Sequence, residues 1–317
     1  MTLINNDITA ASSLLSQGHL VAIPTETVYG MGANAFNTEA VKSIFAVKNR
    51  PFYDPLIIHT NSADRIAEWG MEIPEQLLAL TKRFWPGPLT VLINKSERVS
   101  DIVTAGLPRV AVRIPNHPLT LRMLVQCDFP VAAPSANPFG YVSPTSAEHV
   151  KKHFDGKISM ILDGGPCSVG IESTIVGVEQ GKVVVYRLGG ISVEDIEKEV
   201  GKVLVQTSSS KPDAPGMLIK HYSPAKRVLA VDTQIELNAH INATSAFIVF
   251  NFEVNDVASK NIIRLSSSEN HAEAAQAFYS ALRHWDDDAS IQNIIVQRMP
   301  DFGLGRAIND RLSRAIA

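Results

Sequence analysis

The sequence has 317 residues, of which 45% are hydrophobic and 19% are charged, and its formal net charge is −3. This composition is typical of a globular protein, the length predicts about two domains, and the weak negative charge excludes a surface that binds polyanions over its whole extent. The two cysteines, Cys127 and Cys167, lack the spacing of a zinc site or a disulfide framework. The first residues lack a signal-peptide pattern, and no apolar run approaches the roughly 20 residues of a membrane span, so we expect a cytoplasmic protein.

Up to about residue 205 the chain alternates short apolar runs with amphipathic segments, which predicts an α/β region. Strands are predicted at 20–23, 89–93, 110–114, 131–133, 160–162, 173–178 and 183–187. Helices are predicted at 38–48, 62–69, 74–84, 119–126, 146–154 and 192–200.

A polar stretch follows the end of the first predicted strand and precedes the first predicted helix. It reads Pro24-Thr25-Glu26-Thr27-Val28-Tyr29-Gly30-Met31-Gly32, with two hydroxyls, one carboxylate and two glycines. The glycines predict a tight turn or a close approach of backbone to a ligand, and Thr38 is the predicted cap of the next helix. Ligands often bind at such strand-end loops, although an ordinary strand-loop-helix fits the spacing equally well.

A change in composition marks a second region. Residues 206–216 are rich in Ser and Pro and lack periodicity, which predicts a linker, and His221-Tyr222 follows where a passive tether needs neither side chain. Strands are then predicted at 228–231, 247–250, 262–265 and 294–297, and helices at 269–285 and 303–312. We therefore predict a first domain at 1–205, a linker or lid at 206–225, and a small parallel α/β domain at 226–317.

Several cations lie near the predicted ends of strands and helices, where their side chains suit phosphate or carboxylate groups. They are Lys48, Arg50, Arg109, Arg113 and Arg187. Most could be solvated surface charges, but Arg113 lies among Val and Ile, and a buried Arg needs an anionic partner. Hydroxyl and amide groups at 135–137 and 170–174 could be simple turn residues. Together with the arginines they predict a site for a small anionic ligand.

The motifs taken together closely resemble those of one family. P-T-E-T-V-Y-G-M-G at Pro24, K-N-R-P at Lys48, D-P-L-I-I-H at Asp54, V-R-I-P at Val112, A-P-S-A-N at Ala133 and E-S-T-I-V at Glu172 resemble the YrdC-type domain. P-G-M at Pro215, H-Y-S-P at His221 and G-L-G-x-A-I-x-D-R-L at Gly303 resemble the extended form, the long-form L-threonylcarbamoyladenylate synthases. The resemblance covers nearly the whole chain in order. It implies a YrdC-type twisted sheet with helices, linked to a smaller Rossmann-like parallel α/β domain.

The resemblance also implies an activity and a set of site residues. The reaction condenses L-threonine, bicarbonate or CO2, and ATP, with Mg2+ held mainly by the triphosphate, and the product serves the tRNA threonylcarbamoyl-transfer machinery. The implied threonine-binding residues are Thr27, His59, Arg113, Ala133 and Ser173. The implied ATP-binding residues are Lys48, Arg50, Asp54, Arg109, Ser135, Ser143, Arg187 and Tyr222, of which Lys48 and Arg50 are the expected catalytic residues. Asp54 stands where Asn is common in the family, and Arg109 where a smaller hydroxyl residue is common.

Two other functions fit the cationic site. One is an RNA-binding module of the same fold that makes no adenylate, and the other is an enzyme that transfers a carbamoyl group to a different acceptor. Direct contact with tRNA is left open. The net charge of −3 and the hydroxyl-bearing loops favour the adenylate-forming enzyme.

Overall fold

The chain builds two sheets, one within residues 3–205 and one within residues 227–297, in the computed structural model of the protein. The structure describes residues 1–207, 221–254 and 261–316. Most of the predicted linker, residues 208–220, therefore lies outside the described residues, as does the P-G-M motif at Pro215. Within the described ranges no helix has both the length and the apolar character that a bilayer span requires.

The first sheet is mixed and has 11 strands, in the order β1-β8-β2-β3-β7-β4-β6-β5-β9-β10-β11. Its strands are β1 (Leu3–Asn5), β2 (Val21–Ile23), β3 (Gly30–Asn34), β4 (Ile57–His59), β5 (Leu89–Asn94), β6 (Arg109–Arg113), β7 (Val131–Ala132), β8 (Met160–Leu162), β9 (Thr174–Glu179), β10 (Lys182–Arg187) and β11 (Leu204–Val205). Its helices are α1 (Ile8–Ser16), α2 (Thr38–Lys48), α3 (Ala63–Glu68), α4 (Glu75–Phe84), α5 (Asp101–Thr104), α6 (Pro118–Val125), α7 (Ala147–Phe154) and α8 (Val193–Val200).

Helix α2 shows how the sequence sets both ends of an element. It begins at Asn37, whose side chain accepts hydrogen bonds from the backbone N–H groups of Glu39 and Ala40, so the predicted cap at Thr38 is wrong by one residue. It ends at Asn49, whose φ of 53° is the left-handed conformation that often terminates helices. The turn at Asn49 carries the chain away from the helix directly before Arg50, and the last helical residue, Lys48, is buried.

The glycines of the polar stretch 24–32 form a strand rather than the predicted turn. Gly30 and Gly32 lie in β3, which pairs antiparallel with β2 and with β7. A Cβ at Gly32 would stand 2.8 Å from the carbonyl oxygen of Val21 and 3.2 Å from a methyl group of Val131. The glycines therefore permit a close approach of neighbouring strands, and the polar loop that precedes them is reduced to residues 24–29.

The second sheet has four strands, all parallel, in the order β12-β15-β13-β14, which confirms the predicted parallel α/β domain. The elements of this domain are β12 (Arg227–Val231), α9 (Gln234–Ala239), β13 (Ser245–Val249), β14 (Ile262–Arg264), α10 (His271–Asp287), β15 (Asn293–Gln297) and α11 (Leu304–Ala315). The apolar stripe predicted for the long helix is buried in α10, including Ala274, Phe278, Ala281 and Leu282.

The second domain packs directly on the loops of the first. One apolar cluster contains Val28, Val142 and Ile171 of the first domain together with Phe278 and Tyr279 of α10. At Gly170 the contact is so close that a Cβ would stand 2.4 Å from the Cα of Gln276. The second domain thus lies against the loops that lead into the polar residues at 170–174, and it helps to fix their position.

Candidate active site

A small cavity lies where the polar loop 24–29 meets the ends of β4, β6 and β7 and the start of β9. Its volume is about 50 Å³. The residues around it include Thr25, Thr27, Arg50, His59, Arg113, Ala133, Ser135, Glu172, Ser173, Arg187, His221 and Tyr222. Widely separated stretches of the sequence therefore bring hydroxyls, arginines and aromatic rings to one place.

Arg113 is fixed at the end of β6 by contacts on each of its guanidinium nitrogens. Nε donates to the carbonyl of Gly87 at 3.1 Å, and Nη1 donates to the hydroxyl of Thr27 at 2.8 Å. Nη2 forms an ion pair with Glu26 Oε1 at 2.7 Å. Each η nitrogen carries a second hydrogen, so the guanidinium can still donate to a carboxylate that enters the cavity.

Arg50 comes to the cavity from the turn that follows α2. Its Nη2 pairs with Asp54 Oδ2 at 2.9 Å, and it also donates to the carbonyls of Asp54 and Pro55. Both members of the pair are buried, and burial lowers the pKa of the Arg50 guanidinium although Asp54 opposes that effect. The local turn therefore holds one cation rigidly at the cavity wall.

Lys48 lies beside Arg50 in the sequence but points elsewhere. Its side chain is buried, and its ammonium group donates to the carbonyl of Ser135 at 2.6 Å and to the carbonyl of Asn137. Its own carbonyl accepts from the backbone N–H of Phe139 at 2.9 Å. Burial, followed by the charge of Arg50, lowers the pKa of Lys48 well below its usual value. The lysine ties the end of α2 to the loop that carries Ser135.

Ser173 and Arg187 form the opposite wall. Arg187 donates from Nε to the carbonyl of Ser173 and from Nη2 to its hydroxyl, both at 3.0 Å. The hydroxyls of Ser173 and Thr90 are 2.7 Å apart. Burial lowers the pKa of the Arg187 guanidinium. This wall offers a hydroxyl and a cation whose positions depend on each other.

Glu172 is the centre of a buried network that joins the two domains. Its carboxylate accepts from Ser143 Oγ at 2.6 Å, from the Tyr279 hydroxyl at 2.8 Å and from Arg311 Nε at 2.8 Å. Burial alone would raise the pKa of this carboxyl, but the charges of Arg311 and Arg187 outweigh burial, and the pKa falls to about 2. Glu172 is therefore an anion with all its charge satisfied inside the protein.

Two histidines line the cavity as neutral rings. Burial, followed by the charge of Arg113, lowers the pKa of His59 to about 3, and burial followed by the charge of Arg50 lowers the pKa of His221 to about 3. His59 Nδ1 lies 3.4 Å from the carbonyl of Val131. The rings of His221 and Tyr222 are 4.1 Å apart, and Tyr222 is itself buried.

Two protein-family profiles match the chain. The Sua5/YciO/YrdC family, described as telomere recombination, matches residues 13–189, and the family described as the C-terminal domain of threonylcarbamoyl-AMP synthase matches residues 191–317. The chain belongs to the two-domain threonylcarbamoyl-AMP synthase family. The sequence resemblance and the predicted fold class are confirmed.

Similar proteins cover almost the whole chain. The threonylcarbamoyl-AMP synthase of Pyrococcus abyssi is 38% identical over 324 residues, covering 97% of this chain and 93% of its own. The enzyme of the same name from Bacillus subtilis is 39% identical over 320 residues, with 97% and 92% covered. The crystal structure of P. abyssi Sua5 complexed with L-threonine superposes with a TM-score of 0.92 at 37% identity, over 100% of this chain and 98% of that chain.

In this member of the threonylcarbamoyl-AMP synthase family, the structure brings together all the residues that the resemblance assigned to threonine. Thr27, His59, Arg113, Ala133 and Ser173 line the cavity. Of the residues assigned to ATP, those that line the same cavity are Arg50, Ser135, Arg187 and Tyr222. Their contacts with substrates remain predictions.

The other residues assigned to ATP lie behind or away from the cavity wall. Asp54 is the buried partner of Arg50, and Ser143 donates to Glu172. Lys48 bonds the backbone carbonyls of Ser135 and Asn137, and the expectation that it faces phosphates stays a prediction. Arg109 lies at the opposite end of β6 from Arg113, where it donates to the Tyr186 hydroxyl.

Sequence reasoning quoted Glu26 and Glu172 in motifs but gave neither a role. Glu26 pairs with Arg113, and Glu172 joins Ser143, Tyr279 and Arg311. The sequence carries a signal, because Glu26 stands between two threonines and Glu172 directly precedes Ser173 and Thr174, each in a stretch that leads into a buried strand. A carboxylate in such a place needs a cation, and the sequence offers several arginines without saying which one it meets.

Proposed function

We propose that this protein is an L-threonylcarbamoyladenylate synthase, which condenses L-threonine, bicarbonate or CO2, and ATP to L-threonylcarbamoyladenylate and pyrophosphate. The observation that carries the proposal is that Arg113 and several hydroxyl groups share one cavity with Arg50 and Arg187. Arg113 and the hydroxyl groups suit an amino acid, and Arg50 and Arg187 suit phosphates. The threonylcarbamoyl-AMP synthases of Pyrococcus abyssi and Bacillus subtilis, which each match 97% of this chain, support the assignment.

Threonine is bound at the Arg113 end of the cavity. The guanidinium receives the amino-acid carboxylate, since its remaining hydrogens are the donors best suited to two carboxylate oxygens. Thr27 and Ser173 offer hydroxyls, Ala133 offers a methyl group, and the neutral His59 ring completes the wall. A neutral ring adds no repulsion to the amine, which must itself lose its proton before it can attack CO2.

ATP is bound across Arg50, Ser135 and Arg187, with the Tyr222 ring available to cover the ribose or the base. The two arginines stabilise the negative charge of the phosphates, and the Ser135 loop is held in position by Lys48. The cavity of about 50 Å³ is well below the ~300–1,000 Å³ of typical ligand pockets, so some of its side chains must move when both substrates bind.

The proposed reaction includes Mg2+, which the triphosphate of the nucleotide would hold. Within the described ranges no group of three or more His, Cys, Asp or Glu side chains could hold a metal ion. The carboxylates closest to the cavity are already paired, Glu26 with Arg113, Asp54 with Arg50 and Glu172 with Arg311. When bound, Mg2+ would neutralise phosphate charge, which agrees with a site whose own carboxylates are engaged.

The chemistry needs positioning more than a protein nucleophile. The threonine amine attacks CO2 to form a carbamate, and a carbamate oxygen then attacks the α-phosphorus of ATP while the bond to pyrophosphate breaks. The chain's residues hold the carbamate oxygen in line with the departing pyrophosphate and stabilise the negative charge that develops on the pyrophosphate. The product is a mixed anhydride, which a tRNA threonylcarbamoyl-transfer machinery would consume.

Burial of the cations favours this function over RNA binding. The side chains of Lys48, Arg50, Arg113 and Arg187 are all at most 8% exposed. Recognition of a polynucleotide requires cations along an open surface that tracks the backbone. Enclosed cations fit the phosphates of a single nucleotide instead.

A substrate-omission assay tests the proposal. Pyrophosphate release is measured with threonine, bicarbonate and ATP, with each omitted in turn, and with serine in place of threonine. We expect release only with the complete set and a much lower rate with serine. Release that ignores threonine would contradict the proposal, and threonine-independent carbamoylation of another acceptor would favour the carbamoyl-transferring alternative.

A further inference from the structure

Arg311, on helix α11 of the C-terminal domain, reaches into the first domain. Its side chain is fully buried. Nε donates to Glu172 Oε2 at 2.8 Å, and Nη2 donates to the carbonyl of Leu188 at 2.7 Å. The guanidinium carbon also lies 5.0 Å from the centre of the Tyr222 ring. One side chain therefore touches the first domain at two places and the last part of the linker, at Tyr222, at a third.

Each of these contacts is next to a cavity residue. Glu172 directly precedes Ser173, Leu188 directly follows Arg187, and Tyr222 lines the cavity itself. Arg187 and Ser173 are in turn hydrogen-bonded to each other. A shift of the guanidinium would therefore move Arg187 and Tyr222, the two residues proposed to meet the nucleotide on that side.

Tyr222 depends on its neighbours for its conformation. Its φ is 64°, in the left-handed region that an aromatic residue rarely adopts, so surrounding contacts must hold it there. Its ring packs on Arg311 and lies 5.8 Å from the ring of Tyr279 in a stacked arrangement. Both contacts come from the C-terminal domain, which thus supplies the support for this side of the site.

The threonine side of the cavity is supported differently. Arg113 is held by Gly87, Thr27 and Glu26, all within the first domain. Loss of the Arg311 contacts leaves these bonds in place. Of the residues proposed to bind threonine, Ser173 directly follows Glu172, whereas Thr27 and Arg113 hold each other within the first domain. A defect that starts at Arg311 should therefore weaken ATP binding much more than threonine binding.

We propose that Arg311 is a positioning residue by which the C-terminal domain fixes Arg187 and Tyr222 for ATP. The inference rests on the proposed function, because it names the domain that shapes the nucleotide half of the same site. The planar fork of Arg311 donates to Glu172, to the carbonyl of Leu188 and to Asp310 Oδ2, and it also packs on the Tyr222 ring. A lysine cannot reproduce that set of contacts. Arg311→Lys keeps the positive charge opposite Glu172 and removes the planar arrangement of the guanidinium donors.

The helix provides a matched control. Arg306, also on α11, pairs across the domains with Glu194 at 3.4 Å, but both side chains are about 40% exposed, at 38% and 41%. Exposed pairs of this kind contribute little. Arg306→Lys therefore makes the same chemical change in a cross-domain ion pair that is remote from the cavity residues.

The test measures ATP and threonine affinity separately by calorimetry on the full chain, so that it does not depend on turnover. For Arg311→Lys we expect ATP affinity to fall about 10-fold, the upper part of the range for residues that act through others, with threonine affinity close to that of the wild type. Hydrogen exchange should rise at 172–175 and 186–188. Arg306→Lys should match the wild type in every measurement.

A second variant covers the case in which Arg311→Lys does not fold. Tyr279→Phe removes the hydroxyl that donates to Glu172 and keeps the ring beside Tyr222. It should weaken ATP binding in the same direction, to a smaller extent. Unchanged ATP affinity in both variants, or equal losses for ATP and threonine, would overturn the positioning role. If the wild type binds both substrates but releases no pyrophosphate, the proposed reaction fails while this inference is still decided by the affinities.

Discussion

Lys48 offers a clear choice between two roles, and the replacement Lys48→Met separates them. In the structure the buried ammonium group donates to the carbonyls of Ser135 and Asn137, whereas the family resemblance predicts that it faces phosphates. A lysine waiting for phosphate contributes nothing to the stability of the free protein. A lysine that ties two segments together contributes to stability before any ligand is present.

The magnitude follows from the contacts that are lost. A buried acceptor left without its donor costs about 1–3 kcal/mol, and Lys48 serves two such carbonyls. The replacement also relieves the cost of burying an ammonium group, which is the main cause of its lowered pKa. We therefore expect Lys48→Met to lower the free energy of unfolding of the ligand-free protein by about 2–4 kcal/mol.

The assay is urea unfolding followed by circular dichroism without substrates. Lys42→Met is the control, since Lys42 lies on the same helix with its side chain 50% exposed and pairs only with Glu39 in a surface ion pair. It should change the free energy of unfolding by less than about 0.5 kcal/mol. If Lys48→Met is as stable as the wild type and only its Michaelis constant for ATP rises, Lys48 faces phosphates and the reasoning is refuted.

Three further outcomes follow from the site. Arg113→Ala should raise the Michaelis constant for threonine about 100-fold, as expected for a lost carboxylate partner, while that for ATP changes little; a selective ATP defect would refute the assignment. Chelation of Mg2+ should abolish pyrophosphate release but leave threonine binding measurable by calorimetry, and full turnover in excess chelator would refute the role given to the metal. The pKa of His221 is lowered to about 3 from 6.5, so between these two pH values the unfolded chain binds a proton that the folded protein does not. The free energy of unfolding therefore decreases as the pH is lowered from 6.5. Between pH 6 and pH 5, His221→Gln should lose about 1.4 kcal/mol less stability per pH unit than the wild type, and the exposed control His284→Gln should behave like the wild type. Stability is measured by urea titration at each pH, and an equal dependence on pH in all three proteins would refute the buried, neutral state of His221.

The sequence predicts most elements because their apolar periodicity is strong. Helix α7 is capped by Ser146, the first residue of the predicted range 146–154, and β8 has its predicted bounds. Strand β3 was missed, since its Gly-Met-Gly-Ala-Asn sequence carries little strand propensity. Residues 30–34 form a strand because β2 and β7 approach them closely on either side, and this approach is a property of the tertiary structure.

The membership of the site was more predictable than its connections. The family resemblance of the motifs indicates the residues that line the cavity, whereas the residue types alone fit solvated cations and turn residues equally well. The partners could not be predicted in the same way. Glu172 and Arg311 are 139 residues apart, and Lys48 meets a loop 87 and 89 residues further along the chain. Local pattern carries no information on such pairs, so the sequence alone indicates neither the contacts of Lys48 nor a role for Arg311.

The most direct test of the proposed activity is identification of the product. The wild-type protein is incubated with ATP, Mg2+, threonine and ¹³C-labelled bicarbonate, and the nucleotide products are separated and analysed by mass spectrometry. The account predicts an adenylate that contains both the threonine and the labelled carbon, formed in the same amount as pyrophosphate. An adenylate that lacks the label, or ADP and phosphate as the only products, would contradict it.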